Sequence, residues 1–287
     1  METKNILCCI NGFKPSEAVI DYGSWLSKKT NITLKLFHAI DTQNHTNDAD
    51  LSGSIGLGAR EDLLEEFVNT EHEQNKLLQK RGKLILEAGQ ERAKNNGVSE
   101  VDQCLRKGKV VENIMELKDK ISVAVIGRYG EKHQDSHDKS VVGHKVESII
   151  RSLEKPVLIV TEDYQEPKTL CLAFDGSDGA KKALEFVARN ASFHWLSVHL
   201  VFVGPESDKI KSDLNDAKKY LETASIATKI AFLEGDVGTS LNDYLTSNDI
   251  SFLCMGAFSH SWLRDLVMGS LTSKILSLVT KPVLLVR

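Results

Sequence analysis

Two stretches of the chain have the residue types to hold an anionic, sugar-bearing ligand. The first is Phe174-Asp175-Gly176-Ser177, at the end of an apolar run over 170–174. The second is Met255-Gly256-Ala257-Phe258-Ser259, followed after nine residues by Gly269-Ser270. A carboxylate such as Asp175 accepts a hydrogen bond from the nucleoside end of a ligand, and a strand-end glycine lets backbone approach a sugar or phosphate closely. A Gly-Ser pair opening a helix presents free amides, a hydroxyl and the positive end of the helix dipole to a polyphosphate. Each residue also has a plainer use. Asp before Gly commonly bonds its own turn, and Ser is a preferred helix cap. Met255 and Phe258 have the character of packing residues.

Other candidate chemistries fare worse. Gly53-Ser54-Ile55-Gly56-Leu57-Gly58 has its glycines in the wrong order for a dinucleotide fingerprint and no strand immediately before it, so a flexible connection is expected. No Gly-x4-Gly-Lys-Ser/Thr occurs, which leaves a P-loop kinase or ATPase unsupported. His133, His137 and His144, interspersed with Asp135 and Asp138, lack helical patterning and a fourth ligand, so a solvated loop is expected there and no metal site. His260 lies between Ser259 and Ser261, but adjacency in sequence is not catalytic geometry. No catalytic residue is assigned.

The elements that must position these residues come from a duplication. Residues 5–12 resemble 169–176, and Lys155-Pro156-Val157-Leu158 resembles Lys281-Pro282-Val283-Leu284. Between these anchors Gly108-Lys109-Val110 matches Gly235-Asp236-Val237, and Val125-Ile126-Gly127 matches Cys254-Met255-Gly256. Repeats of this kind decide the fold before anything else. The expected division is an N-terminal domain over 1–162, with an insertion at 43–95, and a C-terminal domain over 168–287. A short polar link over 161–168 joins them. In the second half apolar runs over 170–174, 195–203, 227–233, 250–256 and 282–286 read as strands. Helical stripes over 178–189, 208–223, 238–246 and 269–279 alternate with them. Such alternation predicts an α/β architecture: two doubly wound, five-stranded parallel sheets of Rossmann-like type, each with helices on both faces. In the insertion, 43–60 reads as a mobile polar loop and 61–95 as a long helix or helix pair. In this architecture ligands bind outside the carboxyl ends of the strands, where the winding reverses.

Composition bounds the function. The 287 residues carry 36 Lys and Arg against 40 Asp and Glu, a net charge of −4, which argues against a nucleic-acid binder. Apolar runs such as 121–126 and 283–286 fall far short of the roughly 20 residues of a membrane span. The first residues have no signal-peptide layout, so a cytoplasmic location is expected. Five cysteines without Cys-x-x-Cys spacing, four of them in apolar runs, read as free and mostly buried thiols.

The second-half pattern, Gly256-x2-Ser259-x9-Gly269-Ser270 with Asp175 at the end of the first strand, resembles that of ATP-binding universal stress proteins. The resemblance extends over nearly the whole chain, apart from the insertion, as a tandem of two UspA-type domains. It implies that Ala173, Phe174, Asp175 and Val203 line adenine and ribose, with Met255 and Gly256 continuing that wall. Ser259, Gly269, Ser270, Leu271 and Thr272 would face the phosphates. Ser259 departs from the family, which has a second Gly there. The first half departs further: Asn11 replaces the Asp, and Gly127-Arg128-Tyr129-Gly130 is followed by twelve residues before Gly143-His144. ATP binding of the family type is therefore not expected in the first half.

What the resemblance implies is a stress-response sensor or regulator that binds ATP or a related adenine nucleotide, with or without magnesium, in its C-terminal half. Two alternatives stand beside it: an interaction module of the same fold that binds no nucleotide, and a slow ATPase or phosphotransferase. The last strands, 156–160 and 282–286, would be open apolar edges in isolated halves. Intramolecular pairing of the halves is expected, and a homodimer of the whole chain is compatible with the sequence.

Overall fold

Continuous apolar runs make strands buried on both faces, and the amphipathic stretches between them make the covering helices. The computed structural model describes residues 4–40, 57–129, 143–161, 163–257 and 270–287, with backbone alone for 57–68, 71, 191, 270 and 271. The N-terminal half runs β1 (Asn5–Cys9), α1 (Pro15–Thr30), β2 (Leu34–Ile40), α2 (Leu57–Asn95), β3 (Val101–Lys107), α3 (Val110–Glu116), β4 (Ile121–Gly127), α4 (His144–Ser152) and β5 (Val157–Val160). The C-terminal half repeats the order as β6 (Thr169–Ala173), α5 (Asp178–Arg189), β7 (Ser197–Val203), α6 (Asp208–Thr223), β8 (Thr228–Leu233), α7 (Val237–Ser247), β9 (Phe252–Gly256), α8 (Ser270–Leu278) and β10 (Val283–Val286).

The strands form one sheet in the order β3-β2-β1-β4-β5-β10-β9-β6-β7-β8. Each half is parallel and doubly wound, as the alternation predicts. The halves meet where β10 pairs antiparallel with β5, in the register Val283↔Ile159, Leu284↔Leu158 and Leu285↔Val157. Both strands are buried along their whole length, so the apolar edges expected of isolated halves are closed within the chain. The outer strands, β3 and β8, are left with polar exposed positions such as Asp102, Gln103 and Lys229, a composition that discourages edge-to-edge pairing.

The covering helices lock the halves together on both faces. On one face Trp25 of α1 meets Phe193 and Phe252 of the second half, with ring centroids 6.3 Å apart in each case. Tyr22 stacks edge-on to Tyr164 in the connecting segment, centroids 4.8 Å apart. On the other face two arginines cross the seam. Arg128, which follows β4 and is buried, donates to the Val279 carbonyl and to the Lys281 carbonyl (3.1 Å), just past the end of α8. Arg287, which follows β10, donates to the Arg151 carbonyl in the last turn of α4 (2.7 Å). Each cation satisfies carbonyls at the negative end of a helix from the opposite half.

The insertion differs from expectation in one respect. Its helix is a single element that begins at Leu57, so 57–60 belong to the helix and not to the loop; 41–56 lie outside the described residues. Buried Leu86 and Ala93 place α2 on the sheet. Arg92 then fastens α2 to α1 through a two-pronged bond to Asp21 (Nε to Oδ1 2.8 Å, Nη2 to Oδ2 2.7 Å), joined by Asn96. All five cysteines are free, three of them (Cys8, Cys171, Cys254) fully buried. Burial raises the pKa of those three thiols.

One buried titratable group gives the fold an acid limit. His199 on β7 is 5% exposed and pairs through Nδ1 with the Tyr244 hydroxyl on α7 (3.1 Å). Burial, reinforced by nearby Lys229, pushes its pKa down to about 4. The unfolded chain therefore takes up a proton here that the folded chain refuses, so stability falls as pH drops from the ordinary histidine range toward 4. In urea titrations across that window the native chain should lose about 2 kcal/mol more than His199→Gln; parallel curves would remove this assignment.

Candidate functional site

At the centre of the C-terminal half, β6 and β9 lie side by side, with Leu172 opposite Cys254. Their carboxyl ends bring Asp175 and Gly256 to the same edge of the sheet at the reversal of strand order, the position at which such sheets bind ligands. The turn after β6 is built locally. Asp175 Oδ1 accepts the Ser177 amide (3.0 Å), Gly176 takes φ +77°, and Ser177 caps α5 by accepting the Ala180 amide (3.2 Å). The plainer use of Asp175 in its own turn is thus present, and its side chain remains exposed to solvent.

The neighbouring residues divide between the faces of the sheet. Ala173, Val203 and Met255 belong to the core on the α7–α8 face, with Met255 6% exposed. Phe174 belongs to the opposite core and is 4% exposed; its amide donates to the Val201 carbonyl (2.9 Å). The structure therefore brings Ala173, Val203 and Met255 together and sends the Phe174 ring to the other side. Thr272 is buried in the first turn of α8. Ser270 and Leu271 are placed by the α8 backbone alone. Ser259 and Gly269 lie outside the described residues, as do Phe258, His260 and Trp262.

Gly256 has a packing reason that its place in the motif did not disclose. A Cβ on this residue would run into the Gly179 carbonyl group and come within 2.7 Å of the Ala180 nitrogen, in the first turn of α5. Its missing side chain lets the end of β9 press against the helix that starts beside Asp175. In the first half, a Cβ on Gly127 would meet the Pro15 Cβ at 2.9 Å, a side-chain atom.

The corresponding turn of the first half is closed on itself. Asn11 Oδ1 accepts the Phe13 amide (3.1 Å) and the Ser16 hydroxyl (2.9 Å). The Ser16 hydroxyl oxygen in turn accepts the Asn11 and Gly12 amides, both at 3.1 Å. Where the second half exposes a carboxylate, the first thus presents an amide already bonded. Ser16 carries this difference, and its place five residues beyond Asn11 is the signal that would have found it. Among the described residues no cluster of three or more His, Cys, Asp or Glu side chains could hold a metal. Of the histidines weighed for that role, His144 opens α4, and His133 and His137 lie outside the described residues with Asp135 and Asp138. No described helix is long and apolar enough to cross a membrane.

Because the obstacle at Gly256 is backbone, it cannot rotate away. Gly256→Ala should cost about 3 kcal/mol or more of unfolding free energy, and Gly127→Ala less, since its nearest obstacle stands at 2.9 Å, farther off than the Gly179 carbonyl carbon from a Cβ on Gly256. Chemical denaturation of both variants measures the difference; equal losses would show that the β9–α5 approach is not the constraint.

Comparison with known proteins places this geometry. The model of the universal stress protein family matches residues 2–161 and again 167–287. Universal stress protein Slr1230 of Synechocystis sp. is 32% identical over 290 residues, which cover 99% of this chain and 100% of that protein. Universal stress protein YxiE of Bacillus subtilis is 22% identical over 144 residues, 41% of this chain and 97% of that one. Among solved structures, a universal stress protein from Archaeoglobus fulgidus superposes with a TM-score of 0.73 at 15% identity, covering 100% of this chain and 99% of its own. A Pseudomonas aeruginosa protein does so with a TM-score of 0.62 at 13% identity, covering 99% and 92%. These two structural likenesses speak for the fold. With the family model matching both halves, the chain belongs to the universal stress protein family.

Proposed function

We propose that this protein binds an adenine nucleotide, ATP by preference, in its C-terminal half and serves as a sensor or regulator of a cytoplasmic stress response. The observation that carries the reading is the pattern Gly256-x2-Ser259-x9-Gly269-Ser270, set between the end of β9 and the start of α8. Asp175 stands exposed at the end of the neighbouring strand. On this reading the first-turn amides of α8 hold the phosphates, with the Ser270 hydroxyl beside them. Asp175 accepts from the ribose, and Ala173, Val203 and Met255 form an apolar wall for the base. A magnesium ion accompanying the nucleotide would offset phosphate charge. The chain divides into domains over 1–162 and 168–287, of which the second holds the nucleotide. On this reading the bound nucleotide is a signal and not a fast-turnover substrate.

A specific observation favours a second reading, an interaction module without nucleotide. Gly256 is already required by its contact with α5, so its presence is no measure of ligand binding, and Ser259 departs from the family pattern. Equilibrium titration with a fluorescent ATP analogue separates the two. The native chain should saturate with micromolar affinity, about 8 kcal/mol of binding free energy. Gly269→Glu, which sets a carboxylate against the phosphates, should bind at least tenfold more weakly with an unchanged fold. Equal binding by both chains would displace the site, and no binding by either would leave the interaction module as the function.

A further inference from the structure

The first half contains a cavity that the nucleotide reading does not use. It opens at the carboxyl ends of β1, β2 and β4, beside the start of α4, and has a volume of about 760 Å³. That is the size of a small-molecule site. Its walls are largely aliphatic and aromatic, with Ile10, Val19, Phe37, Leu78, Ile126 and Ile149 among them. Its charged lining is all of one sign: Arg81 from α2 and Lys145 from α4, with no Asp or Glu among the described residues. The Arg81 guanidinium lies 5.8 Å above the Phe13 ring, at the exposed rim.

Several of the neutral polar groups around this cavity are committed elsewhere. Asn11 and Ser16 close their own turn, and His38 Nδ1 donates to the Ile10 carbonyl (2.8 Å). Burial lowers the pKa of His38, which keeps that ring neutral. A nucleoside entering here would lose water from its ribose hydroxyls and base edges and find no carboxylate among the described residues to accept them, a penalty of the kind that makes polar sites selective. An apolar chain loses nothing of the sort, and burying it is favourable in proportion to its area.

We propose that this N-terminal cavity binds an acyl carboxylate, with its chain against the Ile10, Phe37, Ile126 and Ile149 walls and its head at the cationic rim of Arg81 and Lys145. The inference is independent of nucleotide binding in the C-terminal half. Two basic groups, with no acid among the described lining, select a single anionic head, and the largely apolar wall favours a chain without hydroxyls. The site is a departure from its own repeat, because the exposed Asp175 of the second half would repel the same head.

Isothermal titration calorimetry of the full chain with sodium laurate, kept below micelle formation, tests this. One laurate should bind per chain, and Gly269→Glu should bind it equally well. The double variant Arg81→Gln, Lys145→Gln should weaken binding at least tenfold. Val110→Trp, which places a large ring at a half-buried position of the cavity wall, should abolish it, with circular dichroism checking that the fold is kept. Dodecanol, the same chain without charge, should bind at least tenfold more weakly, and ATP should not displace laurate. Absence of saturable laurate binding overturns the proposal. So does displacement of laurate by ATP, equal affinity for dodecanol, or full affinity in the double variant or in folded Val110→Trp.

Discussion

The antiparallel contact between β5 and β10 is the constraint on which the rest of the molecule depends. Each is a four-residue strand, buried along its whole length, that would otherwise be the open edge of a half-sheet. An exposed apolar edge is a template for association, and the chain removes two of them by turning each against the other. Once they pair, one face of the seam must be filled and the other must satisfy its helix ends. Trp25, Phe193 and Phe252 do the first, and Arg128 and Arg287 the second. The crevices at the carboxyl ends of the two half-sheets are then held in a fixed relation by one continuous sheet.

Within that frame the halves have diverged at the turns after their first strands, and the divergence is readable in single side chains. Both first turns use the same local device, an Asx side chain accepting the amide two residues on. In the second half the side chain is a carboxylate facing solvent. In the first it is an amide drawn into a bond with Ser16, which also takes two backbone donors. The geometry of the turn is preserved while its chemistry is changed, from an exposed carboxylate to an amide bonded within its own turn. The aliphatic walls and basic rim of the first-half cavity follow the same direction.

Much of the fold was legible in the sequence because the signals are local. The helices at 178–189 and 208–223 carry clean apolar stripes and begin after Ser177 and Ser207, whose side chains cap them. The apolar runs became strands because burial on both faces leaves no room for alternation. What was not legible depends on contacts distant in sequence. Arg128 reads as one basic residue in a glycine-flanked loop, and its reach across the seam to α8 has no local signature. Phe174 follows the alternation of its strand to the face opposite Ala173, which position-by-position transfer of a motif ignores. Gly256 was read as room for a ligand, and its neighbour proves to be the first turn of α5. The first-half cavity was invisible because its lining comes from β1, β2, β4 and four helices spread over some 140 residues of chain.

Because the seam lies within one polypeptide, the pseudo-twofold relation is inherited and not enforced. In a homodimer every substitution is made twice, so a change that suits one crevice is imposed on its mate. Here each crevice has its own codons, while the shared sheet still supplies the rigidity that both require. Specialisation of one copy is then free of any penalty at the other.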